Sequence, residues 1–433
     1  NDVRLVLLWF GTWKNTGPSY TPEWVKADTR RFPRMRTAEG KTHYVLSPHA
    51  RSTLEADKKA FVALIRQLRQ NDAQNTVIMV QPQNEIGSYG LARDHSAAAE
   101  RLFRGAVPHE LLRGLGKQPG TWTQVFGEFA EQAFASWHMG RYTDEIAAAG
   151  KAVKPLPMYV NAALGDAFDP KGAIRTATGG PQWNMIPVWK VAAPHIDALA
   201  PDIYNRDQEA VAAYLDHYAR PDNPLMVPEI GNAIDYARFL WPVLGKGGIG
   251  FAPFGMDGSG YSNFPLGAQK LDAETIEAFA SKYRLLRPIA RDWARLAFEH
   301  PTWGAAKGKD AAPQSHVLGR WKLTTEYEQW EFGEPQWLSP ETPPHPNKGK
   351  PVGGAAFIQL GADEFLVVGS DVRVRFGLAD PAQGINSLYL SVEEGTFEQG
   401  HWKKLRRWNG DQIDYGLNLT RPTLLKVRLG TYR

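Results

Sequence analysis

The chain has 433 residues, 43% hydrophobic and 22% charged, a globular composition that excludes disorder and fibrous folds. The formal net charge is +4, and no Lys/Arg block appears, so there is no nucleic-acid footprint. No apolar run reaches the ~18 residues of a membrane-crossing helix, and the absence of cysteine excludes disulfides and thiolate metal sites.

Residues 3–10 (Val-Arg-Leu-Val-Leu-Leu-Trp-Phe) read as a buried strand rather than a signal peptide. This reading expects any targeting segment upstream of the chain and favours a periplasmic or secreted protein. Further apolar runs at 76–81, 156–161, 198–204, 225–229 and 249–254 predict parallel strands buried on both faces. Between them lie helical stripes. Phe61, Leu64, Ile65 and Leu68 predict a helix over 54–70, and Trp122, Phe126, Phe129, Ala133 and Trp137 a second. Further helices are due at 211–218, 236–244 and 273–286.

Six strand–helix units result, and a closed parallel barrel needs eight. The expected fold is therefore α/β: a (β/α)8 barrel over residues 1–304, with its first two βα units missing from this chain. Residue 85 then ends strand four and residue 229 ends strand seven. No Gly-rich phosphate loop supports a doubly wound alternative. Residues 305–314 read as a linker. Seven short β-type segments follow, at 320–327, 355–360, 364–369, 372–376, 387–392, 400–405 and 424–429, and predict a β-sandwich accessory domain over 305–433. Residues 340–351 read as a surface loop.

Chemistry concentrates at two strand ends, Gln81-Pro82-Gln83-Asn84-Glu85 and Leu225-Met226-Val227-Pro228-Glu229. Paired carboxylates at barrel strand ends are the minimal equipment for glycoside cleavage, one protonating the leaving oxygen and the other attacking carbon or activating water. Asn84 can bond a sugar hydroxyl next to the reacting carbon. Tyr204, ending the preceding strand, can hold Glu229 ionised. Trp13 is a candidate sugar platform, Lys14 and Asn15 are candidate hydroxyl ligands, and Asn161 and Met256-Asp257 occupy equivalent rims. The 15 Trp suit stacking on sugar C–H faces. The 11 His show no ligand spacing, so neither a metal nor another cofactor is expected. No nucleophile elbow surrounds Gly258-Ser259-Gly260.

The string Val80-Gln81-Pro82-Gln83-Asn84-Glu85-Ile86-Gly87-Ser88-Tyr89 resembles the acid/base signature of glycoside hydrolase family 35, the β-galactosidases of clan A. The tail, with Asn409-Gly410-Asp411 and Tyr415-Gly416-Leu417-Asn418-Leu419, is similar to the C-terminal β-domain of a bacterial branch of that family. The resemblance implies Glu85 as acid/base, Glu229 as nucleophile, retention of configuration, Asn84 on the sugar hydroxyl and Tyr204 on the nucleophile. It implies an exo-β-galactosidase acting on terminal β-linked galactose, with plant cell-wall galactosides such as xyloglucan side chains as substrates, and no nucleic-acid or membrane partner. Gln83 and Ile86 stand where many members have Glu and Tyr. Phe10-Gly11-Thr12-Trp13-Lys14-Asn15 replaces the usual Gly-Pro-Tyr string and its sugar-binding glutamate. Two alternatives stay open: another clan A retaining β-glycosidase, and a non-catalytic carbohydrate-binding protein.

Overall fold

The computed structural model describes residues 3–171, 176–381 and 384–433. It is a mixed helix–sheet structure with a sheet-rich C-terminal region. Two compact units divide it: Asn1–Asp202 with Arg220–Pro228, and Ile203–Ala219 with Glu229–Arg433. Among the described residues, no helix is long and apolar enough to cross a membrane.

The first unit begins with β1 (Leu5–Leu8), the short helix α1 (Glu23–Ala27), and β2 (Arg34–Arg36) paired antiparallel with β3 (Thr42–Leu46). Helix α2 (Arg51–Asn71) buries Leu54, Asp57, Phe61 and Ile65 on one stripe. Next come β4 (Val77–Gln81), α3 (Ala97–Arg104), α4 (His109–Leu115) and α5 (Trp122–Phe126). Then follow α6 (Ala130–Lys151), β5 (Tyr159–Ala163), α7 (Ile186–Ala192) and β6 (Ala198–Ile203). The second stripe expected from the sequence is thus split between α5, opened by a Thr121–Gln124 capping box, and α6.

β1 runs parallel to β4, from Leu5 opposite Val77 to Leu8 opposite Gln81. A parallel bridge joins Val80 to Met158, and β5 runs parallel to β6. All four strands therefore point their carboxyl ends the same way. Most apolar residues of β5 and β6 are buried, whereas Leu5, Val6 and Leu8 of β1 and Ile78 of β4 are exposed. The 156–161 expectation shifts to Tyr159–Ala163, which puts Asn161 inside a strand, fully buried, rather than at its rim.

After α8 (Gln208–Tyr218), β7 (Met226–Ile230) carries Glu229 in its last turn of pleat. A 3-10 turn over Ile234–Phe239 leads into α9 (Leu240–Gly245), replacing the single helix expected over 236–244. Then come β8 (Gly250–Pro253), α10 (Ala273–Leu286), capped by Asp272, and α11 (Ala290–Glu299). Within the second unit, Gly231 N–H donates to Ile203 C=O (3.1 Å) and Phe254 N–H to Ile230 C=O (2.8 Å), which aligns the exits of β6, β7 and β8.

The C-terminal strands are β9 (Thr302–Ala306), β10 (Gln314–Leu318), β11 (Trp321–Glu326), β12 (Gly354–Gly361), β13 (Glu364–Ser370) and β14 (Val372–Leu378). β15 (Asn386–Glu398), β16 (His401–Trp408), the short α12 (Asp411–Asp414), β17 (Leu417–Leu419) and β18 (Thr423–Tyr432) complete the chain. They form a four-stranded sheet, β10-β11-β14-β17, and a six-stranded sheet, β16-β15-β18-β13-β12-β9. Trp321, Leu323, Val374 and Leu417 of the first sheet share a core with Phe357, Phe365, Val367 and Val427 of the second. Alternate residues of the six-stranded sheet, Ala356, Ile358, Leu366 and Val368, pack against Trp241, Leu286 and Trp293 of the helices. Truncating such a buried Trp to Ala costs about 3–5 kcal/mol.

The expected linker over 305–314 is corrected. Ala305 and Ala306 belong to β9 and are buried, and Gln314 opens β10. Small residues are needed there because the strand passes close to its neighbours: a Cβ on Gly304 would lie 2.6 Å from the Trp241 carbonyl oxygen. The expected surface loop at 340–351 is made of turns. Its return is gripped by the buried Lys307, whose Nζ donates to the carbonyls of Asn347 (2.9 Å) and Lys350 (2.8 Å) and pairs with Glu328 (2.6 Å).

Candidate active site

In the first unit the site grows from the carboxyl ends of β4, β5 and β6. Each strand carries a polar side chain at or near its carboxyl end: Gln81, Asn161 and Asp202. Gln81 Nε2 donates to Asn84 Oδ1 (2.9 Å) and Asn161 Oδ1 (2.7 Å). Asn161 Nδ2 donates to Asp202 Oδ2 (2.5 Å), and Glu85 N–H donates to Asn161 Oδ1 (2.9 Å). Gln81, Asn84 and Asn161 are fully buried, so these bonds replace water and fix the amides.

Glu85 has φ +45°, a left-handed backbone that glutamate rarely adopts. Two contacts hold it there. Gly87, at φ +149°, has no room for a side chain, since a Cβ would sit 2.6 Å from the Ala177 carbonyl. Ser88 and Thr178 exchange backbone hydrogen bonds (2.9 and 3.1 Å), bracing the segment after Glu85. On its other side, Glu85 C=O accepts from Thr16 N–H (3.1 Å).

Thr16 belongs to a tight turn, Lys14-Asn15-Thr16-Gly17, with φ +50° at Asn15 and +63° at Thr16. Lys14 and Gly17 exchange backbone hydrogen bonds (2.9 and 3.1 Å), the pattern of a type I′ turn. Asn15 suits such a φ; a β-branched threonine does not, and its N–H bond to Glu85 holds it. Asn84 Nδ2 donates to Asn15 Oδ1 (3.2 Å), and Lys14 Nζ also reaches that oxygen. The first unit thus brings Lys14, Asn15, Asn84, Glu85 and Asn161 together.

Trp13 departs from its expected role. It is fully buried, with its ring 4.7 Å from Tyr142 at 74°, so its face is not open as a sugar platform. Its place is structural: Trp13 N–H donates to Gln83 Oε1 (3.0 Å), and Gln83 Nε2 donates to Asp57 Oδ2 (2.6 Å). Asp57 also accepts from Trp9 Nε1 (2.8 Å), Thr12 N–H (2.9 Å) and Thr12 Oγ1 (2.7 Å). Burial raises the Asp57 carboxyl above its ordinary value, and its four donors oppose that shift.

In the second unit, Tyr204 OH donates to Glu229 Oε2 (2.8 Å), as expected of the pair. Glu229 is 7% exposed. Tyr204 is aimed by Tyr236, whose OH donates to the Tyr204 carbonyl (2.7 Å) and the Leu266 carbonyl (2.9 Å). Gly231 makes this possible, because a Cβ there would lie 2.1 Å from the Tyr236 ring. Burial pushes the Tyr236 phenol up to about 12, so it stays a donor. Asp257, in the loop after β8, accepts from Ser259 N–H (2.8 Å) and Oγ; the hydroxyl first, then the amide, hold its carboxyl below the usual range.

Sequence reasoning assigned no role to Gln81, Asp202, Gln83 or Asp57. The signal for the first two was present: a polar residue closes the apolar run of β4 at Gln81, and one interrupts that of β6 at Asp202. Asp57 sits on the apolar stripe of α2, a polar exception that marks a buried hydrogen-bond acceptor.

A family described as a domain of unknown function (DUF5597) matches residues 279–420, a span that begins inside α10. No curated protein matches. Among solved structures, the catalytic domain of a β-amylase from Paenibacillus polymyxa is 10% identical, covering 52% of this chain and 69% of that one, with a TM-score of 0.35. A β-galactosidase from Bacillus circulans sp. alkalophilus is 15% identical, covering 49% of this chain and 34% of that one, with a TM-score of 0.29. An endogalactoceramidase is 11% identical, covering 94% of this chain and 70% of that one, with a TM-score of 0.27. Similarity at this level leaves the site to be argued from its own residues.

Proposed function

We propose that the protein is a retaining exo-β-galactosidase with Glu229 as nucleophile and Glu85 as acid/base. The observation that carries this reading is the Tyr204–Glu229 pair: a buried carboxylate at a strand exit, held by a phenol donor at 2.8 Å. Such a donor favours the ionised carboxylate, the form that attacks.

In the first step a Glu229 oxygen bonds to the anomeric carbon while the bond from that carbon to the leaving oxygen breaks. Glu85 delivers its proton to that oxygen. In the second step Glu85 takes a proton from water, the water oxygen attacks the same carbon, and the Glu229 ester breaks. Two inversions give net retention, which asks for carboxyls about 5–5.5 Å apart. Asn84 bonds the hydroxyl beside the anomeric carbon, a role supported by the ties to Gln81 and Asn15 that fix its amide. Lys14 and Asn15 bond further hydroxyls.

The same proposal includes a (β/α)8 barrel fold over 1–304 and an accessory β-sandwich domain over 305–433. Substrates are terminal β-galactosides, including xyloglucan side chains.

The test is hydrolysis of a chromogenic β-galactoside, with the product anomer read by NMR. Glu229→Ala abolishes turnover, and azide restores it with the opposite anomer as product. Glu85→Ala loses turnover on poor leaving groups and keeps glycosylation by activated ones. Full activity of Glu229→Ala refutes the assignment. A panel of aryl β-glycosides separates galactose from other sugars.

A further inference from the structure

The loop between β8 and α10 is anchored at both ends on the exit of β7. Phe254 N–H donates to Ile230 C=O (2.8 Å), and Ala268 N–H donates to Asn232 Oδ1 (2.7 Å). Tyr236 OH reaches the Leu266 carbonyl (2.9 Å), and Arg206 reaches those of Pro265 (3.1 Å) and Gly267 (3.2 Å). Despite these anchors the loop presents aromatic surface: Tyr261 is 55% and Phe264 60% exposed. A firmly rooted loop that leaves two rings in water invites a partner for them.

One of those rings, Tyr261, continues from the site. Tyr204, which holds Glu229, meets Phe254 edge-on (6.4 Å, 76°), and Phe254 meets Tyr261 in the same way (6.2 Å, 80°). A ladder of rings thus runs outward from the Glu229 phenol to Tyr261. Beside it stand polar groups suited to hydroxyls: Asp257, kept ionised by Ser259, and Ser262. Flat apolar rings edged by a carboxylate and hydroxyls match the chemistry of a pyranose, which has apolar C–H faces and a polar rim.

Resting on the glycosidase reading, we propose that Tyr261 and Phe264 form a stacking platform for a pyranose ring of the substrate beyond the sugar attacked at Glu229. The platform makes the enzyme selective for oligosaccharides over simple galactosides.

The test compares a β-galactosyl-terminated trisaccharide with methyl β-galactoside by calorimetry, in the Glu229→Gln background. Tyr261→Ala with Phe264→Ala lowers the ratio of the two affinities about tenfold, and Tyr261→Trp restores it. An unchanged ratio, or equal weakening of both ligands, overturns the platform and leaves the glycosidase reading standing. A parent protein that binds neither ligand and cleaves no glycoside overturns both.

Discussion

Replacing Asp57 tests how the Glu85 side of the site is held. The carboxylate accepts four hydrogen bonds, one on Oδ1 from Trp9 and three on Oδ2 from Thr12 and Gln83. In Asp57→Asn the amide oxygen takes the three-donor position, leaving the NH2 group facing Trp9 Nε1. One hydrogen bond is lost and three lose their ionic partner, while the charge-burial cost disappears. The net loss is about 1.5–3 kcal/mol. In Asp57→Ala all four donors lose their acceptor, at about 1–3 kcal/mol for each one left unsatisfied, so the loss exceeds that of Asp57→Asn. Urea unfolding checks this as a lower midpoint at constant slope. The folded carboxyl lies above its ordinary value near 3.8, so the wild type loses stability as pH rises through the interval above that value. Asp57→Asn removes that loss, and its deficit therefore shrinks at higher pH. Activity falls with stability, because Gln83 loses the anchor from which it holds Trp13 and the turn behind it. A midpoint of Asp57→Ala equal to that of the wild type would refute this account.

Tyr204→Phe removes the donor to Glu229 without a large volume change and lowers kcat about 10- to 100-fold, the worth of a charged hydrogen bond, with no shift in melting temperature. Gly87→Ala forces a Cβ against the Ala177 backbone at φ +149° and lowers stability by about 2 kcal/mol, read by thermal unfolding. His49 and His138 are pushed down to about 4 and about 3 by burial. Their neutral forms stabilise the fold above the ordinary histidine value near 6.5; that contribution fades as pH falls, by on the order of 2–3 kcal/mol for His138 by pH 4.5. His138→Phe, which keeps a ring against Phe134 (4.4 Å in the wild type), blunts the acid sensitivity seen in unfolding midpoints.

Long apolar runs made β1 and β4–β8 legible, with ends displaced by a few residues at most, because parallel strands need neighbours on both faces. Strands β2, β3, β9, β10 and β17 were not legible. Gly304-Ala305-Ala306 and Gln314-Ser315-His316 carry small or polar side chains, chosen by close approach to neighbours that the sequence does not display. The phenol on Glu229 could be read from the ends of neighbouring strands. The link from Asp57 through Gln83 to Trp13 could not, since it joins the middle of a helix to two strand exits. Trp13 misled because a tryptophan beside polar residues looks the same whether it faces a sugar or the interior.

In the six-stranded sheet, strands β12, β13 and β18 are covered on both sides: one side meets the other sheet, and the opposite side meets Trp241, Leu286 and Trp293. A cut after residue 304 would therefore lay open two apolar surfaces at once, one on each fragment. In genetic terms, helices α9–α11 and the strands beyond them must be inherited together. Recombination that exchanged the C-terminal strands alone would have to bring a new partner for those helices in the same event.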